Sequence, residues 1–184
     1  RQVSPAKAYR LLEAGPIVLV TTSHDGRANV MTMGFHMMVQ HEPPLIGAII
    51  GPWDHSYRAL RQTRECVIAI PTVDLARKVV DIGNCSGKDV DKFKQFKLTV
   101  APAKSVSAPL ITNCLANIEC RVADTALVDK YSLFILEAVA MWFDDERKER
   151  RTLHHNGDGT FTVDGRTIDL KDRMVLWKEF QVDI

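Results

Sequence analysis

Apolar and polar positions along this chain fall into short runs bounded by turn residues, the signature of strands more than of long helices. Ile17-Val18-Leu19-Val20-Thr21-Thr22 is β-branched and too short for a helix, and it predicts a first strand. Asp25-Gly26 supplies a tight turn, and Arg27 to Met33 leads back as its hairpin partner. Leu45 to Ile50, entered through Pro43-Pro44, reads as a buried strand, and Cys66 to Ile70 as another that ends at Pro71. Ile118, Cys120 and Val122 alternate with Glu119, Arg121 and Ala123, the period-two pattern of a half-buried strand. Leu133 to Phe143 is apolar nearly throughout, as expected of a central strand. Thr160 to Ile168 predicts a small hairpin about Asp164-Gly165.

Helical signals are fewer and shorter. Ser4-Pro5 opens a helix carrying Tyr9, Leu11 and Leu12, which Gly15-Pro16 stops. Asp54 is placed to cap a helix through Tyr57, Leu60 and Arg61, and Asp74 another with Leu75, Val79 and Val80. After a loop at Gly83 to Lys88, Asp89 to Phe93 suggests one helical turn, while Asp144 to Arg151 is a solvated charge run. Many strands with a few short helices predict a mainly β (β-rich α+β) fold, a small closed or nearly closed barrel, because closure removes exposed edges. No repeat or linker interrupts the 184 residues, so residues 1–184 read as one domain.

Composition narrows the functional classes. The 24 basic and 23 acidic side chains leave a net charge of +1, which gives no reason to expect nucleic acid or a membrane surface as partner. No apolar run approaches the roughly 18 residues of a spanning helix. No hydrophobic signal core follows Arg1-Gln2-Val3-Ser4-Pro5, so a cytoplasmic location is expected. Cys66, Cys85, Cys114 and Cys120 form no C-x-x-C pair and match no zinc spacing, so they read as reduced thiols. Generic nucleotide loops, the serine nucleophile elbow and the H-E-x-x-H pair are all missing from the sequence.

Three stretches carry candidate chemistry, each with a plainer reading beside it. Asn29-Val30-Met31-Thr32-Met33-Gly34-Phe35-His36-Met37-Met38 puts amide, hydroxyl and glycine where a strand would carry Val and Ile, which suits a flat ligand approaching the backbone at Gly34. The plainer reading is methionine packing with a bulge. Gly51-Pro52-Trp53-Asp54-His55-Ser56-Tyr57-Arg58 turns into a helix start whose amides, with His55 and Ser56, suit a phosphate, or is simply an Asp-capped helix. Gly83-Asn84-Cys85-Ser86-Gly87-Lys88-Asp89-Val90-Asp91-Lys92-Phe93 offers an anion nest, or a flexible loop with solvated lysines. A metal at His36, His41 or His154-His155 is not expected: the first two fall on opposite strand faces, and the last pair sits in a polar loop.

Taken in order, these stretches resemble the flavin reductase-like family, its flavoredoxin branch in particular. The resemblance is carried by the Pro16 to Thr22 strand, Asp25-Gly26-Arg27-Ala28-Asn29-Val30-Met31-Thr32, Pro43-Pro44-Leu45-Ile46 and the His55-Ser56 helix start. It continues through Glu65 to Pro71, Gly83 to Phe93, Ala108-Pro109-Leu110-Ile111 and Asn117-Ile118-Glu119-Cys120. It implies a split β-barrel that binds flavin mononucleotide (FMN), usually as a homodimer with flavin sites near the subunit interface. By resemblance, Met31, Thr32, Met33, Gly34 and Phe35 lie along the flavin ring, and His55 and Ser56 face the phosphate. Asn84, Cys85, Ser86, Gly87 and Lys88, with Lys92 and Phe93, close the site, and Trp177 is a further candidate to reach a flavin face. The expected activity is an NADH- or NADPH-dependent reductase acting on free flavin, a ferric chelate or a redox protein partner. Two rivals remain: a non-enzymatic electron carrier, and a haem-binding barrel with His36 or His55 as proximal ligand.

Overall fold

A computed structural model describes residues 15–168, 170 and 173. The expected N-terminal helix and Trp177 lie outside the described residues. Seven strands form one antiparallel sheet: β1 (Val18–His24), β2 (Arg27–Met33), β3 (His36–Gln40), β4 (Leu45–Ile49), β5 (Glu65–Ile70), β8 (Ala116–Asp124) and β9 (Leu133–Phe143). Their order is β2-β1-β5-β8-β9-β4-β3. Two further pairs, β6 (Val100–Ala101) with β7 (Leu110–Ile111) and β10 (Leu153–His155) with β11 (Phe161–Val163), lie outside that sheet.

The sheet curls into a barrel because its inward positions converge on one core. Val18 and Val20 of β1, Met33 of β2, Ile46 and Ala48 of β4, Cys66 and Ile68 of β5, Cys120 and Val122 of β8, and Phe134 and Leu136 of β9 pack together. The two edge strands, β2 and β3, are neighbours in the chain, yet no ladder joins them among the described residues. The chain passes between them at Gly34-Phe35, and the barrel is split there.

Helix α1 (Ser56–Thr63) packs on β1 and puts Leu60 into the barrel core. Helix α2 (Ala76–Gly83) covers the outside of β2 with Val79 and Ile82, which meet Ile17, Leu19 and Val30. The β1 run is therefore apolar at consecutive positions because alternate residues serve two cores. Each such side chain contributes about 1.5–3 kcal/mol. Two one-turn helices complete the set, α3 (Lys92–Gln95) and α4 (Val128–Tyr131).

Several expectations are corrected. Asp54 does not cap α1: the N-cap position is His55 with no side-chain bond, and Asp54 Oδ2 instead accepts from Gly51 N–H at 2.9 Å. Asp74 lies in a 3-10 turn (Val73–Leu75) ahead of α2, and its carboxylate accepts from Thr72 and Arg147. The expected turn at Asp89 to Phe93 shifts to α3, where Asp91 caps through Lys94 N–H. The C-terminal hairpin pairs Phe161–Val163 with Leu153–His155, so it turns before Thr160 and not at Asp164-Gly165. The stretch Asn29 to Met38 is two strands broken at Gly34-Phe35. Glu119 departs furthest from the half-buried pattern of β8, being fully buried.

Candidate functional site

A cleft opens where the barrel is split. Its volume is about 710 Å³, within the ordinary range for small-molecule sites. Met31, Thr32, Met33, Gly34 and Phe35 form one side, and Val79, Val80, Gly83 and Asn84 of α2 and its C-cap form another. Trp53, Asp54 and Ile49 border the third side, while Ile17 and the hairpin residues His155, Gly159 and Phe161 face them. The lining is mostly apolar, with few polar groups at fixed places.

Local structure explains how β2 serves the cleft. Its alternation sends Met33 and Met31 toward the barrel core, and Val30 and Thr32 toward α2. Thr32 Oγ1 donates to the Val79 carbonyl at 2.6 Å, tying strand to helix, so its hydroxyl retains only lone pairs for a ligand. As an edge strand, β2 also leaves part of its backbone amide and carbonyl row turned away from β1. A flat heterocycle with hydrogen-bonding edges suits such a floor.

At the head of β2 lies a polar zone. Asn29 Nδ2 donates to Ser56 Oγ at 2.9 Å, and Thr22 Oγ1 donates to the same buried oxygen at 3.2 Å. Gly87 is seated against this group: a Cβ there would run into the Asn29 carboxamide and come within 2.9 Å of His55 Cδ2. The second and third sequence stretches therefore meet across Asn29. Helix α1 begins at this point with no acidic residue in its first turn and no side-chain cap, an arrangement that favours an anion. His55, at the N-cap, and Lys88, next to Gly87 in the chain, are both exposed. From Asn29 to Met33 the strand covers about 13 Å, which suits a ligand with a flat ring at one end and an anionic tail at the other.

The remaining expected residues stand behind this surface. Lys92 is buried, and its Nζ donates to the Ile82 carbonyl at 2.8 Å, closing the last turn of α2. Burial lowers the Lys92 pKa, and nearby Cys85 and Asp54 act in the opposite direction. Cys85 Sγ lies 3.8 Å from the same carbonyl. Ser86 is a turn residue: its hydroxyl accepts from Lys88 N–H and its carbonyl from Asp89 N–H. Phe93 packs into the outer core with α2 and does not line the cleft. His36, the first haem candidate, donates Nε2–H to the Pro16 carbonyl at 2.7 Å, since a carbonyl can only accept.

Asn29 heads the first candidate stretch for its amide, but the resemblance gave it no contact, whereas the structure sets it between Ser56 and Gly87. Trp53 and Gly83 fall inside the second and third candidate stretches without an assigned contact, and Val79 and Val80, read only as helix residues, were missed. His155, Gly159 and Phe161 reach the cleft because their hairpin packs Leu153, Phe161 and Val163 into the outer core and Ile17 N–H bonds the Leu153 carbonyl at 2.7 Å. Nothing local in the sequence announces that docking.

Comparison with known proteins fits this geometry. The chain is 30% identical over 177 residues to an uncharacterised protein of Escherichia coli, YddH, covering 88% of this chain and 93% of that one. Among solved structures, an FMN-binding domain of a flavin reductase-like enzyme from Shewanella baltica superposes with a TM-score of 0.79 at 25% identity, over 91% of this chain and 95% of that one. A flavoredoxin of Desulfovibrio vulgaris superposes with a TM-score of 0.76 at 22% identity, over 84% and 88%. The family model for the flavin reductase like domain matches residues 10–162. The chain therefore belongs to the flavin reductase-like family, and its barrel is that family's split barrel.

Proposed function

We propose that this protein is an FMN-dependent oxidoreductase that draws electrons from NADH or NADPH and delivers them to a small or protein-borne acceptor. One observation carries the reading: the split-barrel cleft joins an apolar floor along β2 to a polar head at an uncapped helix start. That is the shape and polarity of a flavin with its phosphate tail. FMN, when bound, supplies the redox chemistry, and the side chains supply position and dryness. The backbone edge of β2 from Met31 to Gly34 presents a flat floor, with Met31 and Met33 anchored in the core beneath it. Asn29, Ser56, His55 and Gly87 shape the phosphate end, with Lys88 at its margin. Val79 and Phe161 exclude water from two sides. No residue is required as general acid or base.

The same reading extends to assembly. Edge strand β3 exposes Met37, Met38 and Val39, and Phe35 beside it is 55% exposed. An apolar edge of this kind is covered in solution by a second copy of the chain, which makes the protein a homodimer.

The test is anaerobic mixing of FMN-loaded protein with NADH and, separately, NADPH. Rapid loss of the yellow absorbance with one of them is expected. Reduction only by dithionite or a reduced partner protein would overturn the nicotinamide dependence and favour the electron carrier.

A further inference from the structure

We infer that Trp53 is the platform on which a second flat, conjugated ring stacks, and is thus the specificity-determining residue for the cofactor's reaction partner. This rests on the reading of the cleft as the flavin site.

The first argument is the gradient of exposure across the lining. Val79 and Met33 are fully or almost fully buried, at 0% and 4%, whereas Trp53 is 76% exposed. A ligand filling the floor along β2 leaves the indole at the mouth, where the next ligand arrives. The second argument is that the indole is held although it is exposed. Asp54 N–H bonds the Gly51 carbonyl at 2.9 Å, and Gly51 N–H bonds Asp54 Oδ2 at 2.9 Å, closing the turn in both directions. The ring then lies on Gly51, where a Cβ would overlap the six-membered half of the indole and Cε2. One part of the ring is spent on that glycine and the rest faces the cleft. A large aromatic fixed in water at a cleft mouth leaves apolar area uncovered, and a ligand that covers it is favoured.

The neighbouring charge does not redirect this choice. Asp54 and buried Lys92 are close enough for their opposite charges to interact. Aromatic stacking of this kind corresponds to roughly a three- to tenfold effect on affinity.

The experiment uses FMN-loaded protein and two neutral amides of equal size, flat benzamide and puckered cyclohexanecarboxamide, followed by perturbation of the flavin spectrum. Benzamide is expected to bind about three- to tenfold more tightly. Trp53→Leu is expected to abolish that preference, and Trp53→Tyr to restore most of it, each variant being measured at saturating FMN. Gly51→Ala, which displaces the indole while keeping it in the chain, is expected to behave like Trp53→Leu. An unchanged preference in Trp53→Leu would overturn the proposal. A parallel loss of FMN affinity would also overturn it, because the indole would then belong to the cofactor's own cradle. Failure of the wild-type protein to take up FMN would instead refute the flavin site itself.

Discussion

Glu119 shows how a single side chain can decide a region. Its carboxylate is fully buried, and it accepts from Lys104 N–H at 3.0 Å, Ser105 N–H at 2.5 Å and the Trp142 indole N–H at 2.6 Å. Burial alone would raise its pKa, but these donors, with the Val106 amide, outweigh burial and hold it below the ordinary carboxylate value. A carboxyl depressed in the folded state stabilises the protein above its unfolded pKa, and that contribution is lost as pH falls through the lower folded value. Glu119→Gln places an amide donor among four donors and is expected to lower stability by about 1–3 kcal/mol near neutrality. Chemical denaturation from pH 7 downward should also show a shallower decline below about pH 4.5 for the variant than for the wild type. Gly87 decides the cofactor end in the same way. Gly87→Ala forces the loop off Asn29 and His55, and FMN affinity is expected to fall about tenfold while the melting temperature moves little. Of these two residues, the sequence marked Gly87 through its setting in a small-residue loop. Glu119 looked like an ordinary outward position, because alternation along β8 carries no information on what covers its outer face.

Among elements, those defined by local pattern were legible in the residues. The strands β1, β2, β4, β5, β8 and β9 follow from β-branched runs, period-two alternation and the turn at Asp25-Gly26, all short-range signals. Helix starts were misread where a side chain had a stronger partner than the helix. Asp54 turns back to Gly51 N–H, and Asp74 binds Thr72 and Arg147. The hairpin β10–β11 was misplaced because its position depends on distant anchors. Arg147, in the run read as solvated, donates to Thr72 Oγ1 at 2.7 Å and to Asp74 Oδ2 at 2.8 Å. Arg147→Ala is expected to cost about 1 kcal/mol, since Asp74 is half exposed and solvent weakens the pair. Hydrogen exchange should locate the effect. The amides of Val73 and Ile17, which bond the Arg151 and Leu153 carbonyls, should lose protection, while those of β8 keep theirs.

At the scale of the molecule, the split in the barrel links fold to function. The chain crosses the split at Gly34-Phe35, so the floor of the cleft and the exposed edge β3 are consecutive pieces of one segment. Cofactor site and self-association are thus expected to be neighbours. Met38→Glu places a charge on the exposed edge and is expected to shift the protein to monomer in sedimentation at equilibrium, without unfolding it. A wild-type protein that sediments as a monomer would refute the assembly. The most direct test of the whole account is titration of the cofactor-free protein with FMN, followed by quenching of flavin fluorescence and retention of colour after gel filtration. An equimolar, saturable complex in the wild type, weakened by Gly87→Ala, is the expected result. A protein that stays colourless and leaves flavin fluorescence unchanged would contradict the account, and the cleft along β2 would then be no more than a gap in a barrel.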